Sequence, residues 1–289
     1  MRSSTIFGFT KAAWTALALA VLTQSCQKSA DLQATETPIT EAHLAELKAS
    51  IASTTGAPVS QIDYSAATKT FTVSKDAKLS LADAENYFKV QPIQGAPSTE
   101  RTSQRVNMYT VNSTKVRNIT LYCDASVPSD WISIMDQAIA NWNATGSAVH
   151  FTRVTSQTTT TTTSGGGGRK KNGSTTTTTT ISADVVANSF NDNTTSTIAQ
   201  AYYPLSTGAP GNQININLHY TYLSSSYRVF ALTHELGHIV GFTHTDQTYG
   251  NLIAGTPDVD PSSVMNSVCL SWVGFTNYDL TAFRTVYPY

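Results

Sequence analysis

Thr233-His234-Glu235-Leu236-Gly237-His238-Ile239-Val240-Gly241-Phe242-Thr243-His244 is the stretch from which the rest of the chain is read. Residues i and i+4 of a helix share a face, so His234 and His238 aim their imidazoles at one point. Two neutral imidazoles on one face begin a zinc site. Glu235 lies beside that face without sharing it, which suits a proton acceptor next to the ion rather than a ligand. Gly241 tolerates positive φ and can stop the helix. The chain then turns back, and His244 offers a third protein ligand. Three ligands and one open position mark a catalytic rather than a structural zinc. A bare H-E-x-x-H recurs by chance, but the added Gly and His at fixed spacing separate this helix from one whose histidines are merely packed. The pattern predicts a zinc metallopeptidase with one catalytic Zn2+, metal ligands His234, His238 and His244, and Glu235 as general base.

Upstream, Ser224-Ser225-Ser226 supplies N-cap candidates. Val229, Leu232, Leu236 and Ile239 form a core-facing stripe, so the helix should be buried on one side and line a cleft on the other. Downstream, Thr276 and Asp279 have capping-box-like spacing, and Leu280, Phe283 and Val286 predict a final helix.

These residues carry a family resemblance. The histidine motif resembles that of the metzincins, and Ser263-Val264-Met265-Asn266 resembles their Met-turn. Gly255-Thr256-Pro257, the run Asp260 to Asn266, and Tyr278-Asp279-Leu280-Thr281-Ala282 are similar to bacterial dual-action HEIGH metallopeptidases. That family commonly writes its helix H-E-I-G-H, and here it reads H-E-L-G-H. The resemblance runs from about Val116 to the C-terminus, and more faintly before that. It implies an α+β fold: a twisted, mainly parallel sheet with an antiparallel edge strand, two long helices, the Met-turn and a C-terminal helix. It makes Met265 the apolar floor beneath the histidines. By analogy it also makes Ala199, Gln200, Ala201 and Tyr202 an edge strand on which an extended peptide lies. Several metzincin branches carry a Tyr two residues after the Met, where this chain has Ser267. The stretch from Val268 to Phe275, Trp272 included, either walls a substrate pocket or packs in the core.

The rest of the chain divides into three parts. Residues 1–26 read as an export signal: Arg2 and Lys11 are positive, and an apolar run from Ala12 to Leu22 is too short to span a bilayer comfortably. Ser25-Cys26 resembles a lipoprotein cleavage site with Cys26 as the lipidated residue, although Leu22 sits four rather than three positions before it. The alternative is ordinary cleavage and secretion. Both place the protein outside the cytoplasm, as an outer-membrane or cell-surface lipoprotein or a secreted protein. Residues 27–114 predict a small α+β pro- or accessory domain and a linker. Within it, Thr40 to Ala52 reads as an amphipathic helix, Ile62 to Val73 as a hairpin, and Ser80 opens a second helix. The family implies a propeptide here, but the P-R-C-G motif of matrix-type metzincins is absent, so any latency must work differently. Residues 91–113 read as linker and processing region.

Residues 115–289 predict the catalytic domain. Val116 to Tyr122 reads as its first strand. Pro128-Ser129-Asp130 starts a helix with Trp131, Ile134, Met135, Ala138, Ile139 and Trp142 on one core stripe. Residues 156–180, two threonine runs flanking four glycines and Arg169-Lys170-Lys171, predict a mobile loop with nothing to bury. Cys123 and Cys269, in an oxidising compartment, predict a disulfide.

A net charge of −1 gives no footprint for nucleic acid or an anionic membrane. The expected partners are a protein or peptide substrate and, through a lipid anchor alone, a membrane; the chain is expected to be a monomer. Two competing readings are a catalytically silent surface binding lipoprotein on a metzincin scaffold and a zinc hydrolase of non-peptide amides.

Overall fold

Short alternating runs and apolar helical stripes build the elements of the computed structural model, which describes residues 39–89, 104–155, 158–162, 176–180, 183–246, 251–257 and 259–289. The expected export signal, the tether after it and Cys26 lie outside the described residues, as do residues 91–103 of the expected linker.

Thr40 caps α1 (Glu41–Thr55), accepting from the His43 N–H, and Gly56 at φ 78° stops it. The predicted hairpin forms as β1 (Ile62–Ser65) and β2 (Thr70–Val73). A third strand that the sequence reading did not anticipate, β3 (Ala77–Ser80), pairs with β2 before α2 (Leu81–Lys89). Ser80 begins α2, its hydroxyl accepting from the Asp83 N–H.

Residues 104–113, expected as linker, are part of the folded body. Arg105–Val106 form β4 and pair with two later strands, β12 (Phe242–Thr243) and β13 (Asn251–Leu252). Gln104 and Asn107 beside them are buried. A polar stretch can be buried where its groups find partners, and Gln104 finds three, given below.

The catalytic body begins with a 3-10 turn at Lys115–Arg117, then β5 (Ile119–Cys123), later than expected by a few residues. Next come α3 (Ser129–Asn143) and β6 (Phe151–Val154). All six predicted stripe residues of α3 are buried. The threonine runs are not a structureless loop: they pair as an antiparallel ladder, β7 (Thr158–Thr162) with β8 (Thr176–Thr180). Threonine is β-branched and favours extended backbone even without a core to cover. The strands β9 (Val185–Phe190), β10 (Ala199–Tyr202) and β11 (Gln213–Asn217) lead to α4 (Ser225–Ile239), and α5 (Asn277–Val286) closes the chain.

The main sheet has the order β1-β2-β3-β10-β11-β9-β5-β6. Strands β6, β5, β9 and β11 run parallel, and β10 is antiparallel to β11. This is the expected mixed sheet with its antiparallel strand, but β10 is not an open edge. Its outer side is taken by β3, with Ala201 opposite Ala77 and Tyr202 opposite Lys78. The core between sheet and helices gathers Trp131, Trp142, Leu232, Leu236 and Phe283, and Trp142 donates from Nε1 to the Thr233 carbonyl at 2.8 Å. The hydrophobic residues Leu47, Ile51, Phe71, Val73 and Leu79 are buried but lie outside that cluster. Residues 40–89 therefore carry an apolar core of their own.

Candidate metal centre

Helix α4 places His234 and His238 one turn apart. Gly241, at φ 101°, breaks the helix and donates its N–H to the His238 carbonyl at 3.0 Å. That turn brings His244 back over the same point. Nε2 of His234 lies 3.0 Å from Nε2 of His238 and 3.2 Å from Nε2 of His244.

The outer nitrogens explain why these rings point inward. His234 Nδ1 lies 2.7 Å from the Val264 carbonyl, and His238 Nδ1 lies 2.8 Å from the Phe242 carbonyl. A carbonyl only accepts, so each Nδ1 carries the proton and each Nε2 presents a lone pair. Lone pairs this close repel unless a cation lies between them. Tetrahedral zinc with Zn–N of about 2.0–2.1 Å would set its nitrogens about 3.3 Å apart, close to the spacing found. Burial, aided by His238, pushes His234 down to about 3, which keeps its imidazole neutral and able to ligate.

A fourth side chain converges on this point, and the sequence reading missed it. Asp76, at the tip between β2 and β3, has Oδ1 at 3.1 Å from His244 Nε2 and 3.6 Å from His238 Nε2. Its Oδ2 is 3.7 Å from His234 Nε2. One ligand atom from each of Asp76, His234, His238 and His244 lies within 4.8 Å of every other. The Oδ1 atom is buried and accepts no hydrogen bond. Burial by itself would raise the Asp76 carboxyl, but His244 and His238 overcome it and hold the group well below its usual range. Burial opposes charge on His244 too, and the Asp76 carboxylate outweighs it and raises that imidazole. Such a cluster calls for a cation, a proton on His244 or a metal ion. The donor set of three imidazoles and a carboxylate suits zinc.

Glu235 is 3% exposed, and its Oε2 is buried without a hydrogen-bond partner. Burial, then the charge of Asp76, raises its carboxyl well above the ordinary value. The adjoining cavity is lined by Lys75, Asp76, Ile198, Phe230, Glu235 and Cys269 among others. Helix α4 is buried from Val229 to Ile239, and through Phe230, Ala231, His234 and Glu235 it lines this cavity as expected, with Asp76 on the cavity's other side.

Met265 is fully buried beneath the helix, and a Cβ added at Gly237 would lie 2.4 Å from its Sδ. The Met-turn is tied to α5 through Asp279. That carboxylate accepts from Ser263 Oγ at 2.6 Å, Gln104 Nε2 at 3.0 Å, Val264 N at 3.1 Å and Thr276 N at 3.0 Å. Gln104 Nε2 also donates to Ser263 Oγ and Asp260 Oδ2. The predicted capping box is present, with Thr276 accepting from the Asp279 N–H.

The remaining expectations fall as follows. Ala199 lines the cavity, while Ala199 and Ala201 are buried and Gln200 and Tyr202 are partly exposed. Ser267 hydrogen-bonds to Asp246. Trp272 packs edge-on to Phe275 and does not line the cavity, whereas Cys269 does. Cys123 and Cys269 are both free thiols, so the expected disulfide is not formed. Cys123 ends β5, and the Cys269 thiol points at the Tyr227 carbonyl. His43 is held by Glu85 and Glu46, and His219 stacks edge-on with Tyr220. Tyr203, which had no assigned role, packs edge-on against the His238 ring at 5.4 Å.

Fold and site together define a zinc metallopeptidase. The chain belongs to the family described as dual-action HEIGH metallo-peptidase, which it matches over residues 71–287. The match begins in β2 and so includes the Asp76 tip. No curated protein matches the chain. Among solved structures, it is similar to high choriolytic enzyme 1, a hatching enzyme zinc-protease from Oryzias latipes (Medaka fish). That similarity has 13% identity and a TM-score of 0.37, covering 62% of this chain and 93% of that one. A structure of myroilysin matches at 14% identity and a TM-score of 0.36, covering 59% of this chain and 80% of that one.

Proposed function

We propose that the protein is an exported zinc endopeptidase in which His234, His238 and His244 hold the ion and Glu235 moves the proton. The observation that carries this is the convergence of three imidazole Nε2 atoms beside a buried, unpartnered Glu235 oxygen. When bound, zinc supplies Lewis acidity, lowering the pKa of water from 15.7 to about 7 and stabilising charge that develops on a carbonyl oxygen. Glu235 Oε2 takes the proton of the attacking water. The raised affinity of this carboxyl for a proton lets it hold that proton until the C–N bond breaks, and then pass it to the leaving amine nitrogen. The products are a carboxylic acid and an amine, and Glu235 returns to its starting charge. Val264 and Phe242 carbonyls keep the His234 and His238 rings in the tautomer that the ion requires.

The substrate would run along Ala199, Gln200, Ala201 and Tyr202 of β10 only once the β3 pairing on its outer side is given up, with Met265 as the floor beneath the histidines. Export follows from the charged, then apolar, N-terminus, and the Ser25-Cys26 step supports lipidation at Cys26 of a monomeric enzyme whose residues 27–114 precede the catalytic domain. The test is Glu235→Ala. Zinc content near one per chain with no casein hydrolysis is the expected result. Normal hydrolysis by that variant removes Glu235 from the role of base.

A further inference from the structure

We propose that the β2–β3 tip is a built-in inhibitor: Asp76 is a fourth metal-binding side chain, and β3 occupies the strand edge a peptide substrate needs. This rests on the metallopeptidase reading above and names the regulation of the same site.

Two independent blocks meet in one short segment. The first is at the metal. Catalytic zinc keeps one position free of protein ligands, whereas four protein ligands make a closed, structural-type site. The Asp76 carboxylate lies against all three imidazoles and supplies that fourth donor. The second block is at the sheet. The Ala201 N–H donates to the Asp76 carbonyl at 3.2 Å, and the Tyr203 N–H donates to the Lys78 carbonyl at 3.0 Å. These are the main-chain groups through which an edge strand would hold an extended peptide.

The backbone at the tip is shaped to present Asp76. Ser74 has φ 53° and Lys75 has φ 91°, two consecutive non-glycine residues in the left-handed region. Such residues persist only where their surroundings hold them, and they cluster at functional sites. Here the Ser74 N–H is held by the Gln61 carbonyl at 2.9 Å, and its hydroxyl by the Gln61 side chain. Residues 40–89 have their own apolar core, so their departure would not open the core under α4. The polar ties that would have to break include the two β3–β10 backbone bonds, Tyr87 Oη to the Pro204 carbonyl at 2.6 Å and the Met108 N–H to the Thr54 carbonyl at 3.0 Å. The active enzyme is therefore the form from which the Asp76 segment has withdrawn.

The experiment uses full-length chain loaded with Co2+ in place of zinc. Acetohydroxamate, a small bidentate anion, is the probe, and the visible spectrum of the cobalt is read. In wild type the spectrum should not respond to the probe, because Asp76 holds the remaining position. In Asp76→Ala, and in wild type cut at a protease recognition sequence inserted after Lys89, it should respond at millimolar probe. If the open form is about 1% of the full-length population, hydrolysis of a quenched peptide should rise about 100-fold on cutting. The cut chain keeps Asp76 unchanged and so tests the idea even if Asp76→Ala misfolds. A wild-type spectrum that responds as fully as that of the cut form overturns the proposal, as does equal hydrolysis before and after cutting. A cobalt response that appears on cutting with no hydrolysis in any form supports the inhibitor and overturns the peptidase reading instead. A chain that takes up no cobalt overturns both.

Discussion

Asp279→Ala tests whether the metal centre is built from the C-terminal helix inward. Asp279 is fully buried and accepts four hydrogen bonds, two of them from the backbone N–H groups of Val264 and Thr276. Truncation leaves Gln104 with its other acceptors, and Ser263 Oγ is free to turn, but the two N–H groups have no replacement. Each orphaned buried donor costs about 1–3 kcal/mol. The Thr276 N–H is also the half of the capping box that the Asp279 side chain supplies, so that loss is already in this sum. One contribution runs the other way. Burial raises the Asp279 carboxyl above its ordinary value, so its ionisation weakens the fold at neutral pH, and alanine removes that cost. The net expected loss is about 3–4 kcal/mol, or roughly 6–16 °C in Tm for a domain of this size. The more telling effect is on the metal. Val264 links Asp279 to His234: its N–H donates to the carboxylate and its carbonyl accepts from His234 Nδ1. Loosening that carbonyl should weaken zinc binding about 10–100-fold. Thermal circular dichroism gives the first quantity, and competition with a chromophoric chelator gives the second. Asp279→Asn, which keeps one acceptor oxygen, should fall between. Unchanged zinc affinity in a clearly destabilised Asp279→Ala would show that the Met-turn orients His234 without help from α5, and the linkage argued here would be wrong.

Two further substitutions probe the packing and the charge. In Gly237→Ala the new Cβ would sit 2.4 Å from Met265 Sδ and 3.4 Å from Trp142. Overpacking of this kind costs about 1–3 kcal/mol, which the gain of about 1 kcal/mol in helix propensity does not cancel; denaturant unfolding that shows no loss would mean the Met-turn yields freely. Asp184 supplies the pH dependence. Burial would raise its carboxyl, but Lys115 Nζ at 2.6 Å and the Thr120 N–H and hydroxyl outweigh it and lower it. A lowered acid contributes stability that is present above its ordinary pKa and is lost as pH falls through the folded value. Asp184→Asn should therefore flatten the acid side of the stability curve below about pH 4, read as Tm against pH, and leave its neutral side parallel to wild type.

What could be read from the sequence was what neighbours along the chain determine. The six-residue stripe of α3, the Thr276–Asp279 box and the helix stop at Gly241 are set within a few residues of themselves, and each is found where its spacing placed it. The three imidazoles belong to the same class, because i, i+4 and one glycine-led turn suffice to bring them together. Asp76, Gln104 and the β7–β8 ladder belong to the other class. Their partners lie far along the chain, and nothing in a Ser-Lys-Asp tripeptide points to three distant histidines. One signal was available: Phe71 and Val73, then Ala77 and Leu79, alternate on either side of residues 74–76, a pattern that fits a second hairpin turn.

The difference between the two classes also says why the missing residue is the one that bears on control. A motif that leaves a coordination position open specifies its own three ligands tightly and places no demand on the fourth. Any carboxylate that tertiary structure can deliver will serve there. A ligand delivered by helix spacing cannot be withdrawn without unfolding the helix. Asp76 is delivered by a strained hairpin tip, from a unit with a separate core and through a short strand pairing, so it can leave while His234, His238 and His244 stay in place. Permanence of the three and removability of the one follow from how each is held, and this asymmetry is what a latent metallopeptidase requires.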